Sequence, residues 1–378
     1  MLTLENKPKR PRDDALVFIG IPEEILFEIL ARLPVKSLLK FRCVCKYWKT
    51  LISSPGFIDA HLERNSLKTS HDCLLIQTRE RLVKKSLSLF CANTFTKFLE
   101  LELPTNNLES VFLVVGSYNG VLCIHDSHHG IYLWNPSIRK FKRLPEALID
   151  KRGIIAHGFG FHPQGNDYRV VRIWSSVHRT RTKVEVYSHR LESWRRINGF
   201  PATSHVSIVR ECACVNGVVY WLMNESSPFC MSILSFDLGS EIFQKMRLPV
   251  FVPESLAGGL SEPLCYPVGI RVFEKSLSLL HERQEENDQY CDVWVLNMGS
   301  WKLSRTILLP GRGSIAWPLG FASNGRYHIV MSGEKACSRK LVLYDTKSQQ
   351  VKDVRIKLNS YLGSRYIDYV RESLVLLN

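Results

Sequence analysis

Three groupings in this sequence have the residue types that chemistry needs. His125, Asp126, His128 and His129 stand together as H-D-x-H-H, the side chains of a metal site. A structural zinc needs four ligands, and no second cluster with ligand spacing accompanies this one. The group falls between two apolar runs, 121–124 and 131–134, where a hairpin turn is expected, so it reads as a solvated turn. Gly158, Gly160 and Gly165 imitate a phosphate loop, yet their spacing is G-x-G-x-x-x-x-G and no helical pattern follows; strand glycines fit better. Glu285, Glu286 and Asp288 lie in the polar run ERQEENDQ, an exposed connection rather than a carboxylate pair for acid–base work. There is no P-loop, no G-x-S-x-G and no H-E-x-x-H. The 11 cysteines are odd in number, scattered from Cys43 to Cys337, and include no C-x-x-C pair. Most have apolar neighbours, as free thiols do when they pack as small hydrophobes in a reducing compartment. No catalytic residue, metal site or cofactor is expected.

The 378 residues carry a net charge of +14, with 45% hydrophobic and 23% charged residues, ordinary for a folded chain. No apolar run approaches the ~20 residues of a membrane helix, and the opening MLTLENKPKRPRDD lacks the apolar stretch of a signal peptide. No membrane association is expected, and the expected location is cytoplasm and/or nucleus. Between 136 and 200 there are 14 Lys/Arg against 5 Asp/Glu. Either this is a basic face for nucleic acid or an acidic partner, or the cations are outward positions of amphipathic strands, as Arg139, Lys140, Lys142 and Arg143 around Phe141 indicate. The lack of a nucleic-acid-binding motif favours the second.

The chain divides into three. Residues 1–14 read as a disordered basic arm. Residues 15–62 read as a small helical unit. Pro22 suits a first helical turn, with Glu23 and Glu24 at the positive end of its dipole. Ile25, Leu26, Ile29, Leu30 and Leu33 make one apolar stripe, and Pro34 ends that helix. Ser37 is placed to cap a second short helix. Phe41, Val44, Cys45, Trp48, Leu51 and Ile52 make another stripe, which Pro55 and Gly56 are expected to stop. Fewer than 50 residues cannot bury all these faces alone, so either the unit docks on the rest of the chain or some of these residues are left exposed for a partner protein.

From residue 63 onward, short alternating apolar runs are broken by Asn, Gly, Pro and Ser, a β-domain pattern. One plan recurs in YLWNPSIRKFKRLP, EVYSHRLESWRRI, ILSFDLGSEIFQKMRLP, DVWVLNMGSWKL and LVLYDTKSQQVKDV: a strand, a polar turn, and a second strand that usually opens with an aromatic. Turn anchors at Asn135, Ser188, Asp237, Asn297 and Asp345 are 53, 49, 60 and 48 residues apart. SLSLFCANTFTKFLELELP at 86–104 is a sixth, weaker copy. A period near 50 with a hairpin in each unit points to a kelch-like β-propeller of about six blades, with a two-sheet β-sandwich as the alternative. Asn119-Gly120, Asn216-Gly217 and Asn324-Gly325 are hairpin-turn signals. The stretch 249–269 is expected to project as a loop. The strand 373–377 is expected to complete the first blade. Trp134, Trp174, Trp194, Trp221, Trp294 and Trp301 recur at blade-like positions and are expected in the core.

Two resemblances cover nearly the whole chain. Ile21-Pro22, Arg32-Leu33-Pro34-Val35-Lys36-Ser37-Leu38, Val44-Cys45-Lys46-Tyr47-Trp48 and Pro55-Gly56-Phe57 make residues 15–62 resemble the F-box, with Ile21 where a Leu is usual. GSYNGVLCI, LWNPSIRKFKRLP, HGFGFHPQGNDYRVVRI, CVNGVVYWL and ILSFDLGSEIFQKMRLP make residues 63–378 similar to the plant F-box-associated domain. The F-box resemblance implies a Skp-type adaptor, and through it cullin and RING subunits, met by Ile21, Pro22, Ile25, Leu26, Ile29, Leu33, Pro34, Val35, Leu38, Leu39, Val44, Trp48 and Leu51. Together they imply a non-catalytic, substrate-recognition subunit of an SCF-type cullin–RING ubiquitin ligase, whose β-domain binds an unidentified target protein. The alternative is a nucleic-acid-binding or scaffold protein using a basic propeller face.

Overall fold

A computed structural model describes residues 21–67, 73–80, 84–91, 94–101, 112–149, 153–176, 181–201, 207–224, 231–249, 268–273, 275–285, 288–309, 315–321, 327–333, 339–345, 347–358 and 366–375. The basic arm, most of the expected 249–269 loop, Glu286 and the Asn324-Gly325 turn lie outside the described residues.

Among the described residues, four helices come first: α1 (Glu23–Leu30), α2 (Val35–Phe41), α3 (Lys46–Ser53) and α4 (Pro55–Leu67). Pro22 precedes α1 with an extended ψ of 147°, so the helix starts at Glu23. Pro34 does the same for α2, which therefore begins at Val35, ahead of the expected Ser37 cap. Pro55 and Gly56 end α3 but also open α4: a proline at the first helical position has no amide hydrogen to lose. The Ser54 Oγ accepts from Phe57 N at 3.3 Å and caps that turn. The helical unit thus runs to Leu67, past the expected boundary at 62.

Among the described residues, six four-stranded sheets follow. In chain order they hold β1 (Cys73–Glu80), β2 (Lys84–Cys91) and β3 (Lys97–Leu101); β4 (Leu113–Tyr118), β5 (Val121–His125), β6 (Ile131–Asn135) and β7 (Lys140–Arg143); β8 (Ile154–His162), β9 (Asp167–Ser175), β10 (Thr182–Ser188) and β11 (Ser193–Ile197); β12 (Ser207–Val215), β13 (Val218–Asn224), β14 (Met231–Asp237) and β15 (Phe243–Arg247); β16 (Val268–Phe273), β17 (Ser276–Glu285), β18 (Asp288–Asn297) and β19 (Ser300–Leu308); then β20 (Ile315–Phe321), β21 (Tyr327–Gly333), β22 (Arg339–Asp345) and β23 (Val351–Leu358). The first sheet takes its fourth strand from the far end of the chain: β24 (Ile367–Val370) pairs antiparallel with β1, Cys73 opposite Val370 and Ile76 opposite Ile367. The inner strands β24, β4, β8, β12, β16 and β20 meet around one axis, which makes a closed propeller and not a sandwich. The closing strand is Ile367–Val370, not the expected 373–377. Leu374 and Val375 leave the sheet and pack on the helical unit instead.

The repeated turns have a chemical cause. Asn135, Asp237 and Asp345 each accept, through Oδ1, from a backbone N–H two residues on, and Ser188 Oγ accepts from Leu191 N. Four residues after each anchor, Arg139, Glu192, Glu241 and Gln349 take positive φ between 51° and 59°, which turns the chain into the outer strand. Each blade then packs on the next through an apolar layer; Val121, Cys123 and Leu133 of the second meet Phe159, Val170 and Tyr187 of the third. Indole N–H groups tie blades together: Trp194 Nε1 donates to Pro145 O at 2.8 Å and Trp221 Nε1 to His157 O at 2.8 Å. Gly158 is needed there, since a Cβ would sit 2.3 Å from the Trp221 ring.

Glu282 of β17 is buried, and burial pushes its carboxyl up to about 8 against one long hydrogen bond from Gln289. The folded chain therefore keeps a proton that the unfolded chain releases near its ordinary value of 4.5. Stability should fall as pH rises through that window, because the folded state binds more protons there. Glu282→Gln should flatten the loss of melting temperature and raise it above the parent at about pH 8. An unchanged slope in a pH series of thermal melts would show that the carboxyl is not the titrating group.

Candidate functional site

The open surface of the helical unit follows from how its helices divide their faces. On α1, Leu26 and Leu30 point inward with Ala31, while Ile25 (51% exposed) and Ile29 (47%) point out. Residues four apart share a helix face, so Ile25 and Ile29 form an exposed apolar pair on α1, and Ile21 is exposed just ahead of the helix. Val44 (58%) and Tyr47 are exposed at the start of α3. Tyr47 is hydrogen-bonded to Glu23, which brings that corner beside α1; burial, then the Glu23 carboxylate, push its phenol up, so it stays protonated. Beneath this surface, Phe27 meets Phe57 edge-on at 5.1 Å and Phe41 meets Trp48 at 5.2 Å. Arg64 of α4 pairs with Glu28 of α1, and His61 Nε2 bonds the Leu33 carbonyl at 3.0 Å.

Of the residues expected to meet an adaptor, Ile21, Pro22, Ile25, Ile29, Pro34 and Val44 are exposed, and Leu33, Leu39 and Leu51 are half-buried. Leu26, Val35, Leu38 and Trp48 are corrected: they are buried in the unit's own core with Ile52 and Phe57, and they support the surface from below. Tyr47 is exposed beside them, and the apolar stripe that runs through Trp48 does not single it out.

The C-terminal segment carries this unit. Leu374 is 1% exposed and lies in the same apolar cluster as Leu26, Val35 and Leu38. The Glu372 Oε2 accepts from Val35 N at 3.0 Å, a carboxylate on the first free amide of α2. Asn135 Nδ2 donates to the Ser373 and Val375 carbonyls at 3.1 and 3.0 Å, and Ser373 N donates to Ser137 Oγ at 3.2 Å. Gly120, at φ 75°, lets the segment pass: a Cβ there would lie 2.4 Å from Ser373 Cβ. The segment therefore bridges the helices and the turns of the second blade.

The other sequence groupings have structural roles. Asp126 Oδ1 accepts from His128 N and Gly130 N, and Oδ2 accepts from Tyr132 OH at 2.8 Å, so the H-D-x-H-H stretch is a turn built on its aspartate. Gly158 and Gly160 lie in β8. The positive charge of 136–200 is divided. Lys142 pairs with Glu192, Arg169 with Asp167 and Glu241, Arg195 with Glu241, and the fully buried Arg172 with Glu185. Arg139, Lys140, Arg143 and Arg196 stand exposed on outer strands and turns, where cations discourage edge-to-edge pairing. No described helix is long and apolar enough to cross a membrane.

Fold and site together place an open apolar helical face on a closed propeller. The F-box associated beta propeller domain matches residues 74–370, and the F-box domain matches residues 18–59, so the chain belongs to the F-box associated beta propeller family, with an F-box at its head. It is similar to an F-box/kelch-repeat protein of Arabidopsis thaliana, 29% identical over 86% of this chain and 94% of the relative. A second F-box protein of that organism is 29% identical over 75% of each chain.

Proposed function

We propose that this chain is the substrate-recognition subunit of an SCF-type cullin–RING ubiquitin ligase, acting in the cytoplasm and/or nucleus. The observation that carries the reading is the exposed apolar pair Ile25 and Ile29, with Ile21 exposed ahead of them, on an F-box bridged to a propeller. The helical face meets a Skp-type adaptor, which brings cullin and RING subunits, and the propeller holds the target protein. The chain itself supplies no reacting group. Its contribution is effective concentration: a target lysine held near a charged E2 reacts in a nearly intramolecular step. The bridge through Glu372, Ser373 and Leu374 supports this role, since it fixes the angle between adaptor and target. The helical unit occupies the rim that carries the Asn119-Gly120 and Pro136–Arg139 turns, which leaves the opposite rim for the target.

The test mixes purified full-length chain with a Skp-type adaptor and measures mass by light scattering after gel filtration. A one-to-one complex is expected. Two separate species at micromolar concentrations would overturn the reading.

A further inference from the structure

The propeller axis holds a cavity of about 160 Å³. That is close to the roughly 150 Å³ of a cavity that accepts a benzene ring. Its walls come from the inner strands and combine apolar side chains, such as Val114, Ile155 and Phe321, with a few converging polar groups. Such a combination is the usual build of a small-molecule site.

Two polar clusters face each other across it. On one side, Asp368 Oδ2 accepts from Ser117 Oγ at 2.8 Å and Tyr366 OH at 2.7 Å, while Oδ1 accepts from Tyr369 N at 2.8 Å. This cluster is closed on itself and locks β24 to β4. On the other side, Arg271 gives Nε to Leu319 O and Nη1 to Glu211 Oε2 and Ile270 O, each at 2.7 Å. Among the described residues, no hydrogen bond engages Arg271 Nη2 or Glu211 Oε1. Both residues line the cavity, so each brings to it one polar atom left over from these bonds.

The charges select what such a pair accepts. An anion would meet Arg271 but also Glu211 and Asp368. A cation would meet Glu211 but also Arg271. A neutral group that accepts at one atom and donates at the next, as a carboxamide does, satisfies both atoms without an unpaired charge. We infer that the axial cavity is a binding site for a neutral single-ring ligand bearing a carboxamide or an equivalent donor–acceptor edge. Its carbonyl accepts from Arg271 Nη2, its N–H donates to Glu211 Oε1, and its ring fills the apolar part of the channel. Burial also raises the Asp368 carboxyl and the Tyr366 hydroxyl, a perturbation that clusters at ligand sites. The site does not depend on the ligase reading, because it needs neither adaptor nor target.

Gly320 provides a clean variant. It lines the cavity, and a Cβ built on it meets nothing within 4 Å. Gly320→Val on β20 therefore places its Cβ in open space of the channel, and valine suits a strand. The experiment titrates the full-length chain, without adaptor, with benzamide, benzoate and benzylamine, three probes of similar size and different charge, by ligand-observed magnetic resonance and calorimetry. Saturable binding of benzamide is expected, with both charged probes at least tenfold weaker. Gly320→Val should weaken benzamide at least tenfold at an unchanged melting temperature; Arg271→Met should weaken it as much but also lower the melting temperature, since it leaves Leu319 O and Ile270 O without their donor. Benzoate or benzylamine binding as tightly as benzamide would overturn the inference. So would benzamide affinity indifferent to Gly320→Val, or no binding by any of the three.

Discussion

Replacing Ile25 and Ile29 by glutamate is expected to release the chain from the Skp-type adaptor and leave it folded. Both side chains are about half exposed, so no internal contact of consequence is lost. If both lie at the centre of the adaptor interface, each should cost about 2 kcal/mol or more when its apolar surface is replaced by a charge. At tenfold per 1.4 kcal/mol, the pair amounts to a loss of roughly a thousandfold in affinity. Leu38→Glu is the contrast. Leu38 is 0% exposed at the heart of the helical cluster, so a charge there should unfold the unit and abolish binding for a different reason. Far-ultraviolet circular dichroism separates the two, since only the Leu38 variant should lose helix. Undiminished adaptor binding by the double variant would remove this face from the interface.

How much of this was legible in the sequence depends on the range of the interactions. The propeller turns were readable because the causes are local: Asn135, Asp237 and Asp345 hold their own turns through backbone amides two residues away. The two stripes of the helical unit were readable as stripes, but their allocation was not. Ile25 and Ile29 have the same four-residue spacing as Leu26 and Leu30, turned by one residue, and only the packing of α2 to α4 decides which pair is inside. The ring closure failed in register for the same reason. The run Ser373–Leu377 alternates less well than it appears, and Ile367–Val370 offers an equal strand; the choice is made by β1 and the helices, both hundreds of residues away. The axial pair of Glu211 and Arg271 is joined across 60 residues of sequence, which no spacing rule anticipates.

Removing residues 371–378 while keeping β24 is expected to melt the helical unit and spare the propeller. The propeller keeps its closure, because Ile367–Val370 still pairs with β1. The helices lose the Leu374 side chain from their core and the Glu372 carboxylate from Val35 N. Emptying a buried leucine site costs about 2–5 kcal/mol, and losing a helix cap about 1 kcal/mol. A unit of this size has little stability to spare. The single change Leu374→Asp should act nearly as strongly, since it puts a carboxylate where no partner can reach it. Backbone hydrogen exchange is the measurement: amides of α1, α2 and α3 should lose protection while those of the second and third blades keep theirs. Adaptor affinity should fall in step, although no residue of the open face has been altered. The expected coupling has a physical cause in Asn135 and Ser137, which hold the segment to the second blade at Ser373 and Val375 while Leu374 enters the helical core. Full protection of α1 to α3 in the truncated chain would mean that the helical unit stands alone, and the fixed angle between adaptor and target would then need another origin.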